Sequence, residues 1–310
     1  MNYFYELILK LFFLFSILPF LLSEKLYQKY DLRINNQVVD GIFSGPKAAG
    51  KLENKEIDEA SGMVVSRTHQ NIIYTHNDSG GQPIIFMIDT LAAYRGKIVL
   101  EGIENRDWED IAIGPGPIEG KSYVYVGDIG DNFSTNEKLY IYRFPEPEFI
   151  EETITIFPDK IILEYPDSPR DAETLLIDPW NGDLFILTKR DSSNTLYSAS
   201  FDDLKEEGLD NTRLLEKVMK IPITMSVAGD ISADGKQVLI KNYWVIYYWL
   251  RREGESLPEV LQRKPVLLPY NPEPQGESIA FKPDGNTYFT LSEKKLRVDP
   301  VLFRYNRIKE

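Results

Sequence analysis

Five short segments of the sequence repeat one pattern, in which an acidic or small residue is followed by a run of apolar residues. The leading residues of the pattern are Ser61, Glu109, Glu173, Gly229 and Glu277. Because three of them carry a carboxylate and one carries a hydroxyl, together they could surround a metal ion with oxygen ligands. They recur with a mean spacing of about 54 residues, which is typical of proteins built from stacked or radial repeats.

The negative charges and oxygen atoms of these repeated residues indicate which kind of ion they would bind. Carboxylates that converge on one axis repel one another unless some are protonated or a cation lies among them. Oxygen ligands with room for water favour Ca²⁺ over a transition metal. The predicted metal ligands are Ser61, Glu109, Glu173 and Glu277, and water or a bound ligand would fill the place at Gly229. The alternative is that these residues cap strands by accepting hydrogen bonds from backbone amides.

Short β-strands separated by frequent turns position these residues. Each of the first four repeats contains four strand patterns, and Asn-Gly or Asp-Gly pairs mark several of the tight turns. The fifth repeat contains three strand patterns, whereas residues 50–57, ahead of the first repeat, form one in surplus. The simplest arrangement is an all-β, five-bladed β-propeller over residues 51–310. The N-terminal strand would complete the last blade and leave no open sheet edge.

A second group of polar residues follows the second strand of each repeat. Each second strand runs antiparallel to the innermost strand, so its end returns to the rim where the repeated carboxylates begin. We therefore predict a ligand-binding rim that consists of Asp78, Asp128, Lys189, Arg190, Lys241 and Glu293. Basic side chains beside a metal ion can hold phosphate oxygens, whereas the simpler alternative is surface ion pairing. The nearby His76 could act as a general base or serve only as a hydrogen-bonding residue.

The composition of the 310 residues excludes several classes of function. The net charge of −13 argues against a nucleic-acid partner. Cysteine is absent, so disulfides, thiol nucleophiles and thiolate metal sites are excluded. The two histidines, His69 and His76, are too few for a multi-histidine zinc or iron centre.

The N-terminal residues differ in composition from the rest of the chain. In residues 1–23 one lysine precedes an apolar run that ends near a serine, which resembles a secretory signal peptide. We therefore expect a secreted, extracytoplasmic protein, with a membrane anchor over residues 7–23 as the alternative. Residues 24–50 are polar and are expected to be irregular.

Several motifs resemble those of a family of secreted, mostly bacterial β-propeller proteins to which no activity is assigned. The motifs are residues 76–80 (His-Asn-Asp-Ser-Gly), 107–112 (Asp-Trp-Glu-Asp-Ile-Ala), 125–132 (Tyr-Val-Gly-Asp-Ile-Gly-Asp-Asn), 170–173 (Arg-Asp-Ala-Glu) and 275–280 (Gln-Gly-Glu-Ser-Ile-Ala). The resemblance covers about residues 55–295 and implies the propeller fold without implying a reaction.

The order of the repeats is also similar, more remotely, to that of the calcium-activated apyrases, which are secreted five-bladed propellers that hydrolyse nucleoside diphosphates. In that family the blades offer Ser, Glu, Glu, Ser and Glu in turn to an axial Ca²⁺. The residues that match this order are Ser61, Glu109, Glu173 and Glu277. Gly229 departs from it, and Lys189 and Arg190 fall where that family has a basic pair near the nucleotide.

The sequence leaves three functions open, since fold alone does not choose among them. The favoured one is a secreted calcium-binding propeller that binds a small-molecule, phosphate-bearing or protein ligand at its mouth. The second is a calcium-dependent phosphohydrolase, in which Ca²⁺ acts as a Lewis acid and Lys189, Arg190 and Lys241 hold the phosphate. The third is recognition or hydrolysis of a sugar by the rim carboxylates and by the aromatic residues within 243–249.

Overall fold

A computed structural model describes residues 38–39, 41–69, 71–206, 211–294 and 299–308 of the chain. These residues form an all-β structure with two short helices. The predicted leader, residues 1–23, lies outside the described residues. Residues from 41 onward belong to one compact unit, Asp40–Glu310. Within the described residues, no helix has the length and apolar character needed to cross a membrane.

The strands are short and are separated by turns, as the sequence pattern predicts. In chain order they are β1 (Lys47–Lys51), β2 (Ala60–Val65), β3 (Ile72–Asn77), β4 (Ile84–Asp89), β5 (Tyr94–Leu100), β6 (Trp108–Pro115), β7 (Ser122–Asp128), β8 (Lys138–Pro145), β9 (Thr153–Ile156), β10 (Asp159–Glu164), β11 (Ala172–Ile177), β12 (Leu184–Thr188), β13 (Thr195–Ala199), β14 (Arg213–Leu214), β15 (Glu216–Lys220), β16 (Ser226–Ile231), β17 (Gln237–Asn242), β18 (Ile246–Leu250), β19 (Val266–Leu268), β20 (Ser278–Phe281), β21 (Thr287–Leu291) and β22 (Val301–Asn306). The helices are α1 (Phe201–Leu204) and α2 (Leu257–Gln262).

These strands pair into five sheets, each of which begins with an innermost strand. The sheets have the orders β2-β3-β4-β5-β9, β6-β7-β8-β10-β14, β11-β12-β13-β15, β16-β17-β18-β19 and β20-β21-β22-β1. Neighbouring strands are antiparallel, apart from the outermost pair in each of the first two sheets. These two parallel pairs are β5 with β9 and β10 with β14. Sequence analysis did not predict β9 and β14, which add a fifth strand to each of those sheets.

The innermost strands, β2, β6, β11, β16 and β20, follow one another around a closed ring. A parallel bridge between Ser61 and Glu277 joins the first and last members of this ring. Five clusters of buried apolar residues lie between successive sheets, and one of them joins the last sheet to the first. The protein is therefore a five-bladed β-propeller, as predicted, with each sheet forming one blade.

The propeller requires apolar residues on both faces of a strand, because each blade packs against two neighbours. Strand β12 shows the principle, since its side chains alternate between faces with a period of two residues. Leu184 and Ile186 join the core shared with blade 2, whereas Phe185 and Leu187 join the core shared with blade 4. Full burial of each such side chain stabilises the fold by roughly 1.5–3 kcal/mol.

An N-terminal strand completes the last blade. Strand β1 pairs with β22 in antiparallel orientation, so the end of the chain is held by a segment from its beginning. This strand spans Lys47–Lys51, not residues 50–57 as expected from the sequence. The expectation of irregular structure up to residue 50 is accordingly wrong at its C-terminal end, where Phe43 also forms a bridge with Arg307.

Two buried aspartates connect the innermost strands through backbone amides. The carboxylate of Asp110 in blade 2 accepts hydrogen bonds from the amides of Ile111 and Leu175, each at 2.9 Å. The carboxylate of Asp230 in blade 4 accepts hydrogen bonds from the amides of Ile231 at 2.8 Å and Phe281 at 2.6 Å. Because each carboxylate connects at least two blades, both stabilise the inner ring of the propeller.

Three local structures differ from what the sequence predicts. The aromatic run at residues 243–249 predicts one strand, but residues 243–245 lie in the turn before β18. The segment Asp-Asp-Leu-Lys-Glu-Glu-Gly at residues 202–208 predicts a short helix, which is observed as α1 from Phe201 to Leu204. Helix α2 was not predicted, although Ser256 and Glu259 form a capping box at its N-terminus.

Candidate functional site

β-Bulges fix the positions of two of the predicted carboxylates. In β6, Trp108 pairs with Asp128 and Asp110 pairs with Gly127, which leaves Glu109 in a bulge between them. In β11, Glu173 occupies the corresponding bulge. A bulge redirects the side chain of its extra residue and twists the strand. Both bulges lie at the beginning of an innermost strand, at one mouth of the central channel.

The ends of the second strands return to this same mouth, as the antiparallel pairing requires. Asp78 follows β3, and its amide donates a hydrogen bond of 2.9 Å to the carbonyl of Glu59, just before β2. Lys189 follows β12, and its amide donates to the carbonyl of Asp171 at 2.9 Å. Glu293 follows β21, and its amide donates to the carbonyl of Gln275 at 3.0 Å.

Seven carboxylates converge at this mouth, which we call the acidic mouth. Its members are Asp78, Asp107, Glu109, Asp171, Glu173, Glu277 and Glu293. They form three groups, in each of which one oxygen atom per residue lies within 4.8 Å of the others: Asp78 with Asp107 and Glu109, Asp78 with Glu277 and Glu293, and Glu109 with Asp171 and Glu173. The repeated glutamates of blades 2, 3 and 5 therefore belong to one continuous cluster.

The ammonium group of Lys189 lies among these carboxylates. It forms an ion pair with Glu173 and donates a hydrogen bond of 3.0 Å to the hydroxyl of Tyr243. Only 5% of Lys189 is exposed. Burial alone would lower the pKa of Lys189, but the carboxylates of Glu173 and Glu277 raise it above its ordinary value. The amine therefore remains a cation at neutral pH.

Tyr243 connects this ion pair to blade 5. Its hydroxyl accepts from Lys189 and donates to the carboxylate of Glu277. Burial and the negative charge of Glu277 both raise the pKa of Tyr243, so its hydroxyl remains protonated. Hydrogen bonds thus connect Glu173, Lys189, Tyr243 and Glu277 in a continuous chain across the mouth.

The glutamates of the acidic mouth are in an unfavourable environment for negative charge. Burial raises the pKa of Glu109 well above its usual range, and the nearby charges of Glu173, Asp78 and Asp107 raise it further. Burial likewise raises the pKa of Glu173, although Lys189 acts in the opposite direction. In the described part of the chain, Oε2 of Glu173 is buried and has no hydrogen-bond partner.

The other two predicted ring residues, Ser61 and Gly229, do not contribute side-chain oxygen atoms to the acidic cluster. The hydroxyl of Ser61 is buried and donates a hydrogen bond of 2.8 Å to the carbonyl of Glu109, so it joins blades 1 and 2. Gly229 lies two residues deeper in the channel than predicted. The bulge of β16 falls at Val227, between Ser226 and Ala228, and this valine therefore occupies the position that glutamate occupies in blades 2 and 3.

The predicted ligand-binding rim divides into exposed and buried side chains. Lys241 is fully buried and donates to the carbonyl of Gly276, and burial lowers its pKa to about 8. Asp128 is buried and forms an ion pair of 2.8 Å with Arg106. Arg190 remains about half exposed, where it forms an ion pair with Asp171. Asp78 is partly exposed, whereas Glu293 is buried at the mouth.

His76 lies below the mouth and is fully buried. Its Nδ1 atom lies 3.0 Å from the carbonyl of Asn77, and its ring packs edge-on against Trp108. Burial lowers the pKa of His76 to about 4, so the imidazole is neutral near pH 7. These contacts support the hydrogen-bonding role that the sequence left open beside that of a general base.

Sequence analysis missed three residues of the site, namely Asp107, Asp171 and Tyr243. A signal for the two aspartates was present, because each lies two residues before a repeated glutamate, in Asp107-Trp108-Glu109 and Asp171-Ala172-Glu173. Tyr243 had no such signal. It was assigned to a strand, and only the turn after β17 directs its hydroxyl toward Glu277.

Comparison with solved structures finds distant similarities. The PQQ-bound aldose sugar dehydrogenase from Streptomyces coelicolor is 11% identical and has a TM-score of 0.48, and the alignment covers 86% of this chain and 99% of that one. A chain of a nidogen/laminin complex is 10% identical with a TM-score of 0.43, over 76% of this chain and 73% of that one. A chain of a mitotic checkpoint complex is 12% identical with a TM-score of 0.40, and the alignment covers 80% of this chain and 63% of that one.

These similarities are too low to indicate an activity, a ligand or a partner. No protein-family profile matches the chain, and no curated protein matches it at a significant level. The class that the structure defines is therefore the five-bladed β-propeller, and any function must be argued from the acidic mouth.

Proposed function

We propose that this protein is a ligand-binding propeller whose acidic mouth holds a divalent cation, with Ca²⁺ as the favoured ion. The observation that carries the proposal is the convergence of Glu109, Asp171 and Glu173, whose oxygen atoms lie within 4.8 Å of one another. Buried carboxylates at this separation repel strongly unless a cation or protons neutralise them. Carboxylate oxygens in a flexible arrangement match the ligands that Ca²⁺ prefers.

The contrast between the two levels of the channel supports a cation over strand capping. At the deeper level, the carboxylate of Asp110 accepts hydrogen bonds from backbone amides of three blades, and that of Asp230 accepts them from two blades. In the described part of the chain, no backbone amide donates to the carboxylates of Glu109, Glu173 or Glu277. The glutamates are thus placed at strand beginnings without performing the capping function that would otherwise explain them.

Binding is favoured over phosphate hydrolysis because the proposed phosphate-holding residues are already engaged. Lys241 is fully buried against the carbonyl of Gly276, and Lys189 is paired with Glu173. Arg190 retains an exposed guanidinium group at the rim. The apolar leader of residues 1–23 supports secretion, and extracellular calcium would supply the ion.

Calorimetric titration of the chelator-treated protein with Ca²⁺ tests the proposal. We expect saturable binding, together with a rise in melting temperature that depends on Ca²⁺ concentration. Glu109→Gln should weaken binding by about tenfold or more, because it removes a charged oxygen ligand from the group of Glu109, Asp171 and Glu173. The matched control Glu148→Gln removes a carboxylate that is largely exposed on another loop, and it should bind Ca²⁺ as the wild type does.

Two results would overturn the proposal. One is the absence of both heat and thermal stabilisation with Ca²⁺ at millimolar concentration, and the other is equal binding by wild type and Glu109→Gln. A crystal grown with Ca²⁺ gives an independent check, since density for the ion should lie between Glu109, Asp171 and Glu173.

A further inference from the structure

Lys189 is buried and paired with a carboxylate, unlike an exposed lysine that is free to bind a phosphate group. Its ammonium group pairs with Oε1 of Glu173 and donates to Tyr243 at 3.0 Å, and 5% of the residue is exposed. The negative charges that act on it are those of Glu173, Glu277 and Glu109, which come from three different blades. Lys189 therefore lies at the centre of the same carboxylates that would bind a divalent ion.

An ammonium group and a divalent cation cannot share these carboxylates without a cost. The same oxygen atoms attract both, whereas the two positive charges repel each other at short range. The other carboxylate oxygen of Glu173, Oε2, is buried and without a hydrogen-bond partner in the described residues. In Glu173, therefore, Oε1 is paired with Lys189, whereas Oε2 accepts no hydrogen bond from the described residues.

We infer that Lys189 is a tethered competitor that occupies the cation site of the acidic mouth in the metal-free protein and lowers its affinity for divalent ions. This inference rests on the proposed function. Binding of Ca²⁺ displaces the ammonium group from Glu173, and Tyr243 loses the hydrogen bond that it accepts from Lys189. The residue thereby sets the concentration of Ca²⁺ at which the mouth becomes occupied.

The position of Lys189 in the fold allows this displacement. It follows β12, outside the strand, so its side chain can move without breaking a β-ladder. Its amide nevertheless donates to the carbonyl of Asp171 at 2.9 Å, which fixes the backbone beside the site. A long flexible side chain on a fixed backbone can exchange one partner for another at small conformational cost.

The first experiment compares Ca²⁺ affinity of the wild type with that of Lys189→Met by calorimetry. Removal of the competing charge should tighten binding by about tenfold or more, because the metal no longer displaces an ion pair. The control is Lys217→Met, which removes a partly exposed lysine of the same blade whose partner, Asp167, is not one of the mouth carboxylates. This control should leave Ca²⁺ affinity within about twofold of the wild type, since the charge of an exposed lysine is screened by solvent and salt.

The second experiment uses the wild-type protein, so it does not depend on whether Lys189→Met folds. An amine-reactive acylating reagent is applied with and without Ca²⁺, and modification of Lys189 is measured by mass spectrometry. Displacement from the buried pair should increase modification of Lys189 severalfold when Ca²⁺ is bound, whereas modification of Lys217 should not change.

The outcomes separate this inference from the proposed function. If the wild type binds Ca²⁺ but Lys189→Met binds it equally or more weakly, Lys189 is not a competitor, and the proposed function stands. If Ca²⁺ binds but modification of Lys189 does not change, the conclusion is again that Lys189 is not a competitor. If neither protein binds Ca²⁺, the proposed function and the inference both fail. If only Lys189→Met binds it, the competition is established, and the wild-type mouth is not a calcium site.

Discussion

The carboxylate of Glu109 should destabilise the metal-free propeller, so Glu109→Gln is expected to increase the free energy of unfolding when divalent ions are removed. The oxygen atoms of Glu109, Asp171 and Glu173 lie within 4.8 Å of one another, and Glu109 is 5% exposed. Burial and these neighbouring charges raise its pKa. A group whose pKa is raised by folding is more costly to ionise in the folded protein than in the unfolded one.

The expected gain in stability follows from the distance between the carboxylate oxygen atoms. Two unit charges 4.8 Å apart repel by about 3.5 kcal/mol at an effective dielectric constant of about 20. Attraction to Lys189 and partial protonation reduce the net effect, so we expect a gain of about 1–2 kcal/mol from Glu109→Gln at pH 7. For a domain of this size, each kcal/mol corresponds to a rise of about 2–4 °C in melting temperature.

The pH dependence of this gain has a definite sign. Because the folded protein holds the proton of Glu109 more tightly than the unfolded chain, the wild type loses stability as pH rises above the ordinary carboxyl value of 4.5. The glutamine variant lacks this loss. The difference between the two proteins should therefore be small near pH 4.5 and largest at neutral pH.

Chemical denaturation in the presence of a chelator, at pH 5 and pH 7, measures these differences. The matched control is Glu146→Gln, because Glu146 is also buried but accepts hydrogen bonds from Ser66, Thr68 and Tyr74. It should lose about 1–3 kcal/mol, since a satisfied carboxylate is replaced by a weaker acceptor. If Glu109→Gln is destabilised to the same extent as the control, Glu109 is a structural group, and the electrostatic reasoning is refuted.

Two further predictions concern the inner ring. Gly62→Ala should cost about 2–4 kcal/mol in denaturant unfolding, because Gly62 has a φ of +66° and an added Cβ would lie 2.6 Å from Nε2 of His76. The control Gly120→Ala, at a φ of +78° with open space around it, should cost only about 1 kcal/mol, and equal costs would contradict the steric argument. Burial raises the pKa of Asp230 to about 7, so its contribution to stability falls as pH rises from about 4 to 7. Melting temperatures measured across this range should fall less steeply with rising pH in Asp230→Asn, and identical slopes would show that Asp230 does not titrate as described.

The fold could be predicted because its main determinants are local and repeated. Strands such as β12 carry apolar residues on both faces, which is what a blade between two other blades requires. The repeated segments recur at a period that fits one four-stranded sheet each, and counting strands reveals the need for an N-terminal strand. The exact residues of that strand could not be predicted, because they depend on pairing between β1 and β22, which are far apart in the sequence.

The site was predicted less completely because register and burial are not visible in a repeat alignment. Aligning apolar runs placed Gly229 in the ring, whereas the bulge of β16 places Val227 there. A shift of two residues preserves the side-chain alternation of a strand, so the apolar pattern cannot distinguish these two alignments. Similarly, the sequence shows that Lys189 and Lys241 follow or end second strands, but it does not show that both side chains turn inward and become buried.

The chemistry of the acidic mouth follows from where the repeats differ. Blades 2, 3 and 5 supply Glu109, Glu173 and Glu277, whereas blade 4 supplies Val227 at the equivalent bulge. A glutamate at this position of blade 4 would add a further buried carboxylate and increase the repulsion. In its place, blade 4 contributes the hydroxyl of Tyr243, which is neutral and connects Glu277 to the ammonium group of Lys189. The asymmetry therefore leaves an excess of negative charge that Lys189 only partly offsets. This excess is the physical basis of the cation binding that we propose for the mouth.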